Sequence, residues 1–315
     1  MGDRTAIEWA SATWNPLRGT KGAWSCIKIS PGCEFCYAQR LNVRRGGPEY
    51  KVGADTLRLD ETILTQPLRW KRPRRIFVCS MTDLFEERVP VLWLDKVFAV
   101  MALASHHTFQ VLTKRAQRMQ EYCSDLRFGQ INDAAQELLL GRIPLPTQRH
   151  GMVSGKWPLP NVWLGVSVEN QARADERIPW LLKTPAAVRF LSVEPLLGPV
   201  DLEFDEIDIA LEPDGYGNTA IKGPLRWVIG GGESGGPPER ALVEKRCAGC
   251  GKEGYAAHQE RREWLPKPEA LEWVRALRDQ CVAAGVPFFF KQWGGPTPKS
   301  GGRLLDGKEC SEFPP

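Results

Sequence analysis

The sequence predicts an α/β fold in which parallel strands and their covering helices build a (β/α) barrel or a partial barrel. Three observations carry that expectation. Apolar runs alternate with amphipathic stretches along the 315 residues. The runs are continuously apolar, as strands buried on both faces are. Each run ends in a polar cluster at its C-terminal edge, where parallel α/β folds bind their ligands.

In chain order, Ile76-Phe77-Val78-Cys79-Ser80 reads as a buried strand and Val91 to Ala104 as a helix with a broad apolar face. Thr108 to Leu112 is a second strand, with a short helix from Ala116 to Tyr122. Asn161 to Val168 is a third, followed by a charged helix from Gln171 to Lys183. Val188 to Val193 and Trp227 to Gly230 are the fourth and fifth. Pro268 near the first helical position and Gly285 just past the end bound a long helix reaching Ala284. Phe288-Phe289-Phe290 is the last strand, and a seventh is expected near the cysteine-rich segment. Such alternation implies a parallel sheet covered by helices. The expectation is one domain over residues 1–315, with surface insertions at about 143–160, 203–225 and 244–264.

Hydrophobic residues make up 42% and charged residues 25%, which permits a sizeable core. No apolar run approaches a membrane span, and the N-terminal residues lack the apolar core of a secretory signal. A cytoplasmic protein with no membrane partner is therefore expected. The net charge of +4 permits a nucleic-acid partner without requiring one. Of 12 tryptophans, Trp14, Trp24, Trp157 and Trp293 fall in polar, Gly/Pro-rich stretches and are candidate site walls.

The polar strand ends read Ser80-Met81-Thr82-Asp83, Thr113-Lys114, Ser167-Val168-Glu169-Asn170, Ser192-Val193-Glu194-Pro195, Gly230 to Ser234 with Glu233, and Lys291-Gln292-Trp293-Gly294. One Ser or Asp in such a place more often caps the next helix. Six consecutive clusters, with two lysines and three glutamates among them, point instead to a site.

Nine cysteines are present, and three of them crowd into Cys26, Cys33 and Cys36. In a reducing compartment, clustered cysteines read as metal ligands before disulfides. Three thiolates on a loop turned by Pro31-Gly32 can ligate three irons of one [4Fe–4S] cubane, leaving the fourth iron open. That open iron is what S-adenosylmethionine (SAM) radical chemistry needs, and Phe35 is placed to shield the cluster. The competing readings are unligated thiols or structural zinc. Zinc wants four closed ligands, and a fourth would have to come from far along the chain.

Thr5-Ala6-Ile7-Glu8-Trp9, Thr13-Trp14-Asn15-Pro16, Ser30-Pro31-Gly32-Cys33, Cys36-Tyr37-Ala38, Ser80 to Phe85, Leu112 to Arg115, Leu164 to Glu169, Ser192 to Leu196, Gly231 to Gly235 and Phe290 to Gly294 together span nearly the whole chain. In these motifs the sequence resembles the radical-SAM-like proteins of phages, prophages and other mobile elements, and more distantly spore photoproduct lyase. The resemblance implies a barrel or partial barrel of the radical SAM type. It also implies that Ser80, Thr82 and Asp83 take the amino end of SAM, and that Ser167 and Glu169 meet its ribose hydroxyls. Glu194, Glu233 and Lys291 would face the substrate or the SAM carboxylate, with Lys114 a candidate for that carboxylate. The sequence departs from the common radical SAM motif in one respect: six residues separate Cys26 from Cys33, where that motif has three.

Cys247 and Cys250 look like half of a zinc knuckle, which His258 and either Cys281 or Cys310 would complete; an unmetallated pair and a second iron–sulfur cluster are the alternatives. Arg69 to Arg75 packs five positive charges around Trp70, a composition suited to a phosphate backbone and equally to a solvated connection. His106 and His107 read as a helix C-terminal cap. Cys79 reads as a buried structural cysteine, though a thiol there could donate hydrogen to a substrate radical.

The leading expectation is thus a SAM radical enzyme with nucleic acid or a nucleotide as substrate class. It would depend on an outside reductant, and the resemblance allows a protein partner encoded nearby. A metal-stabilised nucleic-acid-binding protein is the second reading. A metal-dependent hydrolase or nuclease using Glu169, Glu194 and Glu233 is the third, and the lack of paired histidines disfavours it.

Overall fold

The structure is a computed structural model that describes residues 5–50, 57–125, 127–140, 157–204, 211–213, 219–221, 225–247 and 262–315. Its elements are β1 (Ala12–Trp14), β2 (Leu17–Arg18), α1 (Tyr37–Arg44), β3 (Arg58–Leu59), α2 (Glu61–Leu64), β4 (Arg75–Val78), α3 (Val91–Leu103) and β5 (Thr108–Thr113). Next come α4 (Ala116–Ser124), α5 (Phe128–Leu140), β6 (Val162–Ser167), α6 (Gln171–Lys183), β7 (Val188–Val193), β8 (Leu211–Pro213) and β9 (Thr219–Ile221). The chain ends with β10 (Leu225–Gly231), β11 (Val243–Cys247), β12 (Arg262–Pro266), α7 (Pro268–Ala283), β13 (Phe288–Gln292), β14 (Leu304–Leu305) and β15 (Lys308–Glu309).

A seven-stranded sheet runs in the order β1-β4-β5-β6-β7-β10-β13. The order never reverses. A doubly wound sheet reverses at its switch point, whereas right-handed crossovers that always step the same way are the winding of a barrel. With β1 and β13 as end strands, the fold is α/β with the topology of a partial barrel. The expected seventh strand is β1, which lies ahead of the cysteine loop.

The chain divides into two compact units. The first comprises residues 1–166, 177–190 and 209–224, and the second 167–176, 191–208 and 225–315.

In the first unit, β1 pairs parallel with β4, placing Trp14 opposite Val78. β4 pairs with β5 and β5 with β6, also parallel. Continuous burial of Ile76, Phe77 and Val78 explains why the strand carries no polar alternation. The strand ends at Val78, not at Ser80 as expected, because Cys79 adopts a left-handed conformation (φ 55°) that turns the chain. Helix α5 falls where no element is expected, although Ile131, Ala134, Ala135 and Leu138 line its buried side at helical spacing. The buried Asp95 of α3 is satisfied by Arg127 at 2.8 Å through both Nε and Nη2 and by the Tyr122 hydroxyl at 3.1 Å.

In the second unit, β10 pairs parallel with β13 under α7. Trp227, Phe289 and Phe313 stack within 6.2 Å of one another, and the Trp227 indole donates to the Glu312 carbonyl at 2.8 Å. Two of the three expected insertions carry regular structure, and residues 143–156 of the first lie outside the described residues. The antiparallel pair β8–β9 lies in the second, and the antiparallel pair β11–β12 borders 248–261 in the third.

Two expectations change. Trp14 and Trp293 are buried core residues, not site walls, their indoles donating to the carbonyls of Ile63 and Leu304 at 2.9 Å each, while the half-buried Trp157 donates to the Cys123 carbonyl at 2.9 Å. His106 and His107 do not cap α3; their Nε2 atoms meet the carbonyls of Trp70 at 2.8 Å and Pro67 at 3.1 Å. No helix among the described residues is long and apolar enough to cross a membrane.

Candidate metal and cofactor site

The cysteine loop is held from four sides within the first unit. The buried Asn42 of α1 accepts from the Trp24 amide at 3.0 Å and donates to the carbonyls of Trp24 and Pro48 at 3.0 and 2.8 Å. Gly47 lies so close to that amide group that a Cβ there would overlap it. Arg88 donates to the Ser25 hydroxyl at 3.1 Å while its guanidinium also grips the fully buried Glu86. Arg115 donates to the Ile27 carbonyl at 3.0 Å. The hydroxyls of Tyr37 and Tyr50 donate to the carbonyls of Ser80 and Met81 at 2.6 and 2.7 Å, fastening α1 and the segment after it to the turn that follows β4.

That turn is organised from β1. The buried Asn15 donates to the Ser80 hydroxyl at 3.1 Å and accepts from the Met81 amide at 3.0 Å. The Asp83 carboxylate accepts from the Thr113 hydroxyl at 2.6 Å, the Lys114 amide at 2.9 Å and the Arg115 guanidinium at 3.2 Å. Asp83 therefore ties the end of β4 to the end of β5. The Thr82 hydroxyl beside it is buried and has no hydrogen-bond partner.

Cys26 and Cys36 pack on one apolar cluster of Trp24, Ala38, Tyr50 and Met81. Burial pushes the Cys26 thiol up to about 12; Asp83 adds to the rise and Arg115 opposes it. Cys36 is raised as well, chiefly by burial. The amides of Gln39 and Ala38 and the Lys114 ammonium favour its thiolate, without a formed cap hydrogen bond at α1. Cys33 lies near enough to Cys36 for its charge to act on it, and its sulfur is 3.7 Å from the Ser30 hydroxyl. The apolar wall comes from Trp24, Tyr50 and Met81; Phe35 is half-buried. Among the described residues no three His, Cys, Asp or Glu side chains are grouped to hold one metal ion. A cubane asks for a different geometry, because its three thiolates bind three separate irons and stand farther apart than the ligands of one ion. Two free thiols on an apolar patch and a third within electrostatic reach, with an arginine, a lysine and an orphaned hydroxyl beside them, fit such a group.

The second unit holds its own polar group. Ser167 and the fully buried Glu169 follow one another at the end of β6, and the Val168 amide between them donates to the Ser192 carbonyl at 2.9 Å. Lys291 Nζ sits 3.2 Å from Glu194 Oε1. That oxygen is buried and has no aligned hydrogen bond, so the contact is charge against charge. Gly231 permits it, since a Cβ there would overlap Glu194 Oε1. Glu233 is held by Arg240 at 2.7 and 3.2 Å, a fork the sequence reading does not contain. Gln292 donates to the Ser234 hydroxyl at 2.9 Å. Cys247 ends β11, whereas Cys250 and His258 lie outside the described residues.

Asn15, Asn42, Tyr50, Arg88 and Arg115 carry much of this framework. The only sequence signal for them is membership of a motif or a position next to one. No curated protein and no solved structure matches the chain. A family model described as "Protein of unknown function (DUF5131)" matches residues 4–248 and 265–314, and the chain belongs to that family.

Proposed function

We propose that the protein is a [4Fe–4S]-dependent SAM radical enzyme. The observation that carries the reading is the convergence of Cys26 and Cys36 on one apolar patch, with Cys33 within electrostatic reach. Cys26, Cys33 and Cys36 would hold the cluster, which when bound supplies the electron that cleaves SAM. Trp24, Tyr50 and Met81 keep water from the thiolates. Arg115 and Lys114 offset their negative charge, which burial alone would disfavour. Thr82 offers a desolvated hydroxyl to the amino end of SAM, and a ligand there would relieve an unsatisfied buried group.

Within the second unit, Ser167 and Glu169 are a hydroxyl and a carboxylate suited to sugar hydroxyls, a carboxylate accepting from two hydroxyls being a charge-assisted arrangement. Lys291 Nζ, 3.2 Å from Glu194 Oε1, offers a cation to a ligand carboxylate. An outside protein or chemical reductant must supply the electron.

The test is spectroscopic. Anaerobically reconstituted and reduced protein should give an EPR signal that SAM alters, and Cys26→Ala, Cys33→Ala and Cys36→Ala should each abolish it. A signal indifferent to SAM contradicts the reading.

A further inference from the structure

We propose that the exposed face of α1, with the cysteine loop before it, is a docking surface for single-stranded nucleic acid. Residues 18–50 carry Arg18, Lys21, Lys28, Arg40, Arg44 and Arg45 against Glu34 and Glu49; six positive charges less two negative make +4, the formal net charge of the entire chain. The segment is one of two strongly basic stretches, the other being residues 69–75 with five positive charges. The carboxylates of the adjoining segment do not offset the charge of residues 18–50. Asp83 and Glu87 are engaged by Arg115, and Glu86 by Arg88.

Tyr37, Arg40 and Arg44 follow one another at helical spacings of three and four, so they share one stripe of α1, and all three are exposed. Tyr37 is 49% exposed while its hydroxyl is tethered to the Ser80 carbonyl at 2.6 Å. A ring fixed at its tip loses little freedom when a base stacks on it. An aromatic plate among arginines is the composition that binds single strands, with bases on the ring and phosphates on the guanidiniums. A partner protein of acidic surface would answer to the charges alone and would not need the ring.

Both basic stretches are partly used internally: within 18–50, Arg18 lies 4.5 Å and Arg45 5.8 Å from the Trp24 ring, and Lys28 donates to the Glu34 carbonyl at 3.1 Å. Arg69 donates to the Thr62 carbonyl and the Thr65 hydroxyl at 3.1 and 2.9 Å, Arg74 lies 4.7 Å over the Trp70 ring, and Arg75 is part of β4. Arg69, Lys71 and Arg72 are exposed, whereas Arg74 and Arg75 are half-buried.

The inference extends the proposed function by naming a substrate class, but its test needs no cluster. Anisotropy titrations of a labelled oligothymidylate into metal-free protein, between about 50 and 200 mM salt, read both affinity and salt slope. Replacing Arg40, Arg44 and Arg45 together by Ala should reduce the log–log slope by about 2, since each single-strand phosphate contact contributes roughly 0.7. Tyr37→Ala should weaken binding on the order of tenfold with little change of slope. Tyr37→Phe, which keeps the ring, should bind nearly as the parent does. The double change Lys71→Ala, Arg72→Ala should leave both readings alone. No binding by the parent protein, an unchanged slope in the triple variant, or parental affinity in Tyr37→Ala would each overturn the inference. Iron content, measured separately, bears on the proposed function and not on this surface.

Discussion

The Arg115 guanidinium donates to the Ile27 carbonyl at 3.0 Å, so the residue after Cys26 hangs from the end of β5. Arg88 holds Ser25, the residue before Cys26, at 3.1 Å. Two arginines thus bracket a cysteine that itself lies outside any strand or helix. Both are anchored in turn by carboxylates of the segment after β4, Arg115 by Asp83 and Glu87 and Arg88 by Glu86.

Arg115→Gln should cost about 3 kcal/mol of stability, the lower end of the range for breaking a buried pair. Asp83 retains its bonds from Thr113 and Lys114, which keeps the loss from being larger. Arg115→Lys should fall between, because a point charge cannot reach Ile27, Asp83 and Glu87 together. Urea denaturation of the metal-free protein gives the answer, and a variant within about 0.5 kcal/mol of the parent would mean that the clamp carries no load.

Thr82→Val separates ligand binding from stability. In ligand-free protein the change removes a buried hydroxyl without a partner, so stability should hold or rise by about 1 kcal/mol. SAM affinity of the reconstituted protein should fall on the order of tenfold, the worth of about one hydrogen bond. Unchanged affinity by calorimetry would take Thr82 out of the cofactor's reach.

His107 should make stability fall in weak acid. Its Nε2–H donates to the Pro67 carbonyl at 3.1 Å, its Nδ1 is buried without a partner, and the His106 ring lies 3.9 Å away. Burial, with positive charge from His106 and Arg74, lowers the imidazole to about 4. The unfolded chain therefore binds the proton first, and stability is lost as pH falls from about 6.5 toward 4. Over that window the melting temperature of the parent should drop several degrees more than that of His107→Gln. Parallel melting curves for the two proteins would contradict the assignment.

The β/α alternation is legible because strands buried on both faces are apolar throughout. The expected bounds Gln171–Lys183 and Val188–Val193 coincide with α6 and β7. The turn after β4 is not legible, since nothing in Cys79-Ser80 announces a left-handed cysteine. Helix α5 is missed for a different reason: its buried face is built partly from Ala134 and Ala135, which mark a stripe weakly. The cysteine triplet is visible from spacing alone. Its wall and clamps are not, because Tyr50, Met81, Arg88 and Arg115 come from residues far along the chain and meet the loop only after folding. The carboxylates Glu194 and Glu233 are legible as residues, but their cations Lys291 and Arg240 are pairings that only the fold makes.

The most direct measurement is iron and acid-labile sulfide in protein purified and reconstituted without oxygen. One cubane on three thiolates predicts about four irons and four sulfides per chain. The variant with Cys26, Cys33 and Cys36 all changed to Ala should hold none. A triple variant that keeps its cluster, or parent protein that takes up zinc and no iron, would contradict the account.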